Sequence, residues 1–165
     1  MRKQIYSLLA VFLAGAVLVA CQKIRSYPDA PEVTFKQFNY ADTSIVFSYV
    51  DGSGNFGTGV ADTTGIDTTG NIYISMFAKV DTGYQPIEPV NVFHWNIVSV
   101  PAPQGQDKTQ KGDITIALND GILNGLGSFP DTFRFELYIY DINRNRSNTA
   151  VSSNLYLKLL GKPNP

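Results

Sequence analysis

FRFELYIY, residues 133–140, is the stretch that decides the fold. Its odd positions are apolar, and its even positions carry Arg134, Glu136, Tyr138 and Tyr140. Successive side chains of a β-strand point to opposite faces of the sheet, so this alternation sends four apolar side chains to one side. The stretch therefore predicts a half-buried strand with a polar, aromatic outer face.

Similar alternation recurs along the chain. Strands are predicted near 33–40, 45–49, 72–80, 90–100, 114–118 and 155–159, separated by clusters of Gly, Pro, Asn and Asp. The apolar positions include Ile45, Phe47 and Tyr49; Ile72, Ile74, Met76, Ala78 and Val80; Ile114, Ile116 and Leu118; and Leu155, Leu157 and Leu159. About seven short strands favour a single antiparallel β-sandwich, immunoglobulin-like or fibronectin-III-like, over residues 32–162.

Composition agrees with an all-β chain and excludes one class of partner. Hydrophobic residues make up 44% of the 165 residues and charged residues only 16%, as in sheet proteins whose exposed face carries Thr, Ser, Asn and Tyr. The formal charge is −1, and removing residues 1–20, with Arg2 and Lys3, leaves 11 basic against 14 acidic side chains, or −3. Such a chain has no basic field for nucleic acid.

The N-terminus has the features of a secretory leader. A cationic start is followed by an apolar run over residues 5–20, shorter than the roughly 20 residues that span a bilayer. The run ends in Leu18-Val19-Ala20-Cys21, which resembles the bacterial lipobox. We expect signal peptidase to recognise residues 18–20, remove residues 1–20 and leave a lipid on Cys21, the only cysteine of the chain. An uncleaved signal anchor and an ordinary leader are the alternatives.

Three features together resemble the short immunoglobulin-like lipoproteins of the Bacteroides group. They are the lipobox, the DGSGNFG loop at 51–57, and Asp141 with the Ser-Asn-Thr at 147–149. In that family the first loop commonly reads Asp-Gly-Asp-Gly-Asp, so Ser53 and Asn55 are less charged versions. The resemblance covers most of the mature chain and implies a lipid-anchored sandwich, but the family carries no agreed activity.

The segment at 21–31 predicts an extended tether. It contains two prolines and no apolar periodicity. In lipoproteins of the Bacteroides group, acidic residues just after the cysteine favour export to the cell surface, whereas this chain has Lys23 and Arg25 there. The resemblance therefore implies the periplasmic face of the outer membrane rather than the cell surface.

Two loops rich in Asp and Asn are candidate calcium sites, because alternating oxygen-bearing side chains can wrap a hard cation. Counted from Asp51, an EF-hand loop would have glycine at the position of Phe56 and the longer glutamate at the position of Asp62, so both residues argue against an EF-hand-like site. The alternative is that these residues simply favour turns. Alternating strand directions place both loops at one pole of the sandwich, beside the tether. The candidate ligands are Asp51, Ser53, Asn55, the Gly57 carbonyl and Asp62 in the first loop, and Asp141, Asn143 and Asn145 in the second.

The sequence offers no catalytic signature. His94 is the only histidine and lies within a predicted strand, without a Ser or Cys arranged as a nucleophile. We therefore predict a non-enzymatic, membrane-anchored binding or assembly module of the envelope, with a protein or a glycan as partner. The alternative is a small hydrolase of envelope polysaccharide, which would need two carboxyl groups about 5–9 Å apart in an aromatic-lined groove.

Overall fold

The computed structural model describes residues 27–57, 70–87, 92–95, 100–101, 103–104, 107–118 and 131–160. The predicted lipobox at 18–21 and Asp62 lie outside these ranges. The described residues form β1 (Glu32–Asn39), β2 (Ser44–Asp51), β3 (Ile72–Val80), β4 (Gly83–Pro86), β5 (Val92–Trp95), β6 (Gln110–Ala117), β7 (Thr132–Ile139), β8 (Ala150–Val151) and β9 (Leu155–Tyr156), followed by a 3₁₀ helix over Leu157–Leu159.

The strands form two antiparallel sheets. The smaller has the order β1-β2-β6. In the larger, β7 pairs with one side of β3, while β4 and β5 share the other side, so that they form one interrupted row. Likewise β8 and β9 share the free side of β7. The smaller sheet thus has three rows of strands and the larger sheet four, which confirms the predicted all-β sandwich of about seven strands.

Two local predictions differ from the structure. The segment between the strands predicted near 72–80 and 90–100 contains an additional strand, β4, which makes a hairpin with β3 through Gly83 at a φ of +130°. The strand expected over 155–159 ends at Tyr156, because its partner Thr132 is the first residue of β7 and no ladder continues beyond it. The chain then turns into the 3₁₀ helix, and the Leu157 N–H donates to the Asp131 carbonyl at 2.9 Å.

The core lies between the two sheets and contains most of the apolar positions that the alternation predicted, but Val80, Leu157 and Leu159 are only partly buried. Each side chain of the core adds about 1.5–3 kcal/mol when fully buried. The opposite side chains of β3 and β7 are only partly buried, so the larger sheet presents an outer face to solvent. Fully buried members include Ile45, Phe47, Phe133, Phe135, Leu137 and Ile139.

One end of the sandwich, here called the tether pole, holds residues 27–31, 51–57 and 140–149. Glu32 at the start of β1 is paired with Val50 near the end of β2. Ile72 at the start of β3 is paired with Ile139 at the end of β7. The loops that follow β2 and β7 therefore leave the sandwich together, beside the incoming chain, as the alternating strand directions predict.

Candidate functional site

Asp51 organises the first loop of the tether pole. Its side chain is fully buried, and it accepts hydrogen bonds from the backbone N–H groups of Ser53 at 3.0 Å and Asn55 at 2.9 Å. The Ser53 hydroxyl donates to the same carboxylate at 2.7 Å. Aspartate side chains commonly bond the backbone two residues ahead in this way, which explains why this sequence turns here.

Asp141 plays the same part in the second loop and is 2% exposed. It accepts the backbone N–H of Asn145 at 2.7 Å and the Asn145 side-chain amide at 2.8 Å. Its backbone carbonyl accepts the N–H of Arg144, which has a φ of +64°. These bonds fold residues 141–145 into a tight turn around a buried carboxylate.

Asn55 joins the two loops. With its amide nitrogen facing the carboxylates, Nδ2 donates to the Oδ2 atoms of Asp51 and Asp141, each at 3.1 Å, and Oδ1 accepts from Asn143 at 2.9 Å. The backbone adds a bond from the Ile142 N–H to the Asn55 carbonyl at 3.2 Å. The structure thus brings together six predicted site residues, Asp51, Ser53, Asn55, Asp141, Asn143 and Asn145.

The hydrogen bonds that join the two loops through Asn55, here called the staple, describe this cluster better than a calcium site does. Every oxygen of the Asp51 and Asp141 carboxylates accepts at least one N–H or O–H group from within the two loops, so both buried carboxylates are hydrogen-bonded without a cation. Among the described residues no three Asp, Glu, His or Cys side chains gather as metal ligands. Asp51 and Asp141 are also buried, whereas the two carboxyl groups of a glycosidase are expected in an open groove. The calcium site and the alternative that these residues only form turns both remain untested, and these contacts favour the alternative.

The incoming chain is held against the first loop. A Cβ atom on Gly52 would lie 2.5 Å from the Pro28 carbonyl oxygen and 2.6 Å from that of Tyr27, so only glycine fits there. Asn148 exchanges two hydrogen bonds with the backbone of Val33, at 2.8 and 2.9 Å. Residues 27–33 are therefore docked onto the tether pole.

A second feature lies on the outer face of the larger sheet. Tyr73 and Tyr138 are register partners on β3 and β7, and their rings stack with centroids 5.0 Å apart and an interplanar angle of 6°. Tyr140 meets both rings edge-on, at 5.7 and 5.8 Å. Burial raises the pKa of Tyr138, and the neighbouring Tyr140 adds to this effect, so its hydroxyl stays protonated at neutral pH.

Arginines cover the exposed sides of these rings. The guanidinium of Arg146 lies 3.9 Å from the Tyr138 centroid, and that of Arg144 lies 4.5 Å from the Tyr140 centroid. Farther along β7, Arg134 lies 4.1 Å from the Tyr84 centroid and pairs with Glu136 at 2.6 Å. We call this surface the tyrosine–arginine face, defined by Tyr73, Tyr84, Arg134, Tyr138, Tyr140, Arg144 and Arg146.

No family model, curated protein or solved structure matches this chain. The described residues include no helix that is long and apolar enough to cross a membrane. The tether pole and the tyrosine–arginine face are therefore the features of the molecule that bear on its function.

Sequence reasoning overlooked the tyrosine–arginine face, although part of its signal was present. The alternation correctly places Tyr138 and Tyr140 outside, but only the pairing of β3 with β7 brings Tyr73 against them. Arg144 and Arg146 alternate with the asparagines of the second loop. Two cations at these positions are a sequence-level argument against a calcium site.

Proposed function

We propose that this protein is an exported lipoprotein, held on the membrane by lipid on Cys21, whose sandwich is a non-catalytic binding module of the cell envelope. The observation that carries this proposal is the tyrosine–arginine face. Tyrosine and arginine are enriched where proteins bind partners, since both offer large contact areas together with hydrogen-bond donors. Here they cluster on one side of a small domain.

The position of the tether supports the same proposal. Tyr27 packs beside Gly52 at the tether pole, and six peptide units separate it from Cys21. Six residues reach about 22 Å at most, so a lipid on Cys21 would hold this pole close to the bilayer. The tyrosine–arginine face begins at that pole, with Tyr140, Arg144 and Arg146, and continues along β7 to Arg134 near the opposite end. A partner would then approach from the side while the anchor stays in place.

Location and partner class follow from the anchor. Lys23 and Arg25 after the lipidated cysteine favour the periplasmic face of the outer membrane. The partners within reach there are envelope proteins and glycans.

Metabolic labelling tests the anchor. Cells expressing the wild type should incorporate labelled palmitate into this protein, and Cys21→Ala should abolish the label. Ser53→Ala, which leaves the lipobox intact, is the matched control and should keep it. Label on Cys21→Ala would refute lipidation at this cysteine, and digestion by protease added to intact cells would refute the periplasmic location.

Retention of envelope material tests the binding module. Immobilised residues 22–165 should retain envelope protein or glycan from a detergent extract, and Tyr138→Ala should retain less. Equal retention by the two proteins would refute a binding role for this face.

A further inference from the structure

We infer that the tyrosine–arginine face binds an acidic carbohydrate, a chain of sugars bearing carboxylates. This inference rests on the proposed function and names the ligand class of the same surface. It is carried by the charge of the face, by the position of its guanidinium groups over tyrosine rings and by its extent along β7.

The charge of the face opposes that of the whole molecule. After loss of residues 1–20 the chain carries a formal charge of −3. On the tyrosine–arginine face, the described side chains of Arg134, Arg144 and Arg146 stand against the single carboxylate of Glu136, a local charge of +2. Positive charge concentrated on one side of an acidic protein complements an anionic ligand.

Two of these arginines are available to a ligand. Arg144 and Arg146 are both exposed, and among the described residues neither forms an ion pair with a carboxylate. Arg144 donates to the Gly70 carbonyl and Arg146 to the Thr149 hydroxyl, each at 3.2 Å. A guanidinium has five N–H groups, so each arginine keeps several donors free.

Contact with the tyrosine rings restrains these donors. The guanidinium groups of Arg146 and Arg144 lie 3.9 and 4.5 Å from the centroids of Tyr138 and Tyr140, within the range of cation–π attraction. A guanidinium can bind a carboxylate through two parallel hydrogen bonds. Because the rings already restrain both arginines, binding a carboxylate there costs less side-chain entropy.

The face suits a sugar chain better than a purely anionic polymer. From the tether pole, where Arg144 and Arg146 lie, it extends along β7, whose eight residues span about 26 Å. A linear polymer can follow such a strip. The phenol groups of Tyr138 and Tyr140 add hydrogen-bonding groups for sugar hydroxyls beside the two guanidinium groups.

Calorimetry on residues 22–165, the mature chain without the lipidated Cys21, tests this inference with a defined probe. Hexagalacturonate is the acidic sugar, and an uncharged cello-hexaose is its neutral counterpart. We expect hexagalacturonate to bind at 50 mM salt, at least tenfold more tightly than cello-hexaose, and to weaken as salt is raised. Binding of both sugars with equal affinity, or of neither, would overturn the inference.

Paired variants locate the site. The double variant Arg144→Gln with Arg146→Gln should weaken hexagalacturonate binding at least tenfold. The double variant Arg144→Lys with Arg146→Lys should also weaken it, because lysine keeps the charge but cannot form two parallel hydrogen bonds with one carboxylate. Lys108→Gln with Lys111→Gln removes the same charge from the far side of the tether pole and should change affinity less than twofold. Equal losses from the glutamine pairs would refute the site, provided that thermal melts show all variants folded.

Two further probes separate the competing ligands. Poly-glutamate and vesicles of anionic phospholipid should each bind at least tenfold more weakly than hexagalacturonate. Tighter binding of poly-glutamate would reassign the face to acidic protein, and tighter binding of vesicles would reassign it to membrane. Either result overturns the carbohydrate inference but leaves the palmitate and envelope-retention tests of the proposed function unaffected.

Discussion

Asn55→Ala is the sharpest test of how the tether pole is held together. The substitution removes an amide that donates to the carboxylates of Asp51 and Asp141, each at 3.1 Å, and that accepts from Asn143. Hydrogen bonds to charged groups contribute about 1.5–3 kcal/mol each. Both carboxylates keep other N–H donors, so we take the lower figure for each bond and expect a loss of about 3 kcal/mol.

The loss should be visible by chemical and thermal denaturation. For a domain of this size, about 3 kcal/mol corresponds to a fall of about 6–12 °C in Tm. Asn143→Ala is the matched control, because its exposed side chain gives up one neutral bond to Asn55 and should cost about 1 kcal/mol. If Asn55→Ala costs no more than Asn143→Ala, the staple between the loops does not exist as described.

Asn55→Asp extends the same reasoning. A third carboxylate would replace the bridging donor beside two buried ones, so the variant should be less stable than Asn55→Ala at pH 7. Repulsion raises the pKa of a clustered carboxyl, and its destabilising effect should therefore shrink as the pH falls and the group becomes protonated. A variant as stable as the wild type at pH 7 would argue that the pocket admits negative charge or holds a cation.

Three further measurements probe other parts of the molecule. Millimolar calcium should leave the Tm of the wild type the same as in chelator, and a rise in Tm of several degrees would support the calcium site instead. Phe135→Ala should cost about 3–5 kcal/mol in urea denaturation because its ring is fully buried, and a loss under 1 kcal/mol would contradict the core. Hydrogen bonds from Lys36 and then Ser48 lower the pKa of Asp113, so its carboxylate stabilises the folded state. Asp113→Asn should therefore lose all of this stability above pH 3.8, and the difference from the wild type should vanish as the pH falls through the lowered pKa. A difference in stability that does not change with pH would contradict this pairing.

The fold was predictable because its information is local. Alternation at Phe133, Phe135 and Leu137 depends only on neighbouring residues, and the structure buries all three completely. Which strands pair with β3 and β7, and where that pairing stops, depends on residues distant in the chain. The short β4 and the end of β9 at Tyr156 could not be predicted, since each is set by where its neighbour, β3 or β7, begins or ends.

The candidate sites differ in the same way. The meeting of the Asp51 and Asp141 loops follows from strand direction alone, and the structure places them together through Asn55. The Tyr73–Tyr138 stack required the β3–β7 register, which no local pattern contains. Sequence therefore predicted where the loops meet, but it missed the surface on which the proposed function now rests.

The most direct test of that surface is a backbone NMR titration of residues 22–165 with hexagalacturonate. We predict that shift changes concentrate at Tyr73, Tyr138 and residues 144–146, and that the smaller sheet around Thr34 and Thr115 stays unperturbed. Changes centred on the smaller sheet would contradict the assignment of the tyrosine–arginine face, and so would a spectrum that does not respond at all.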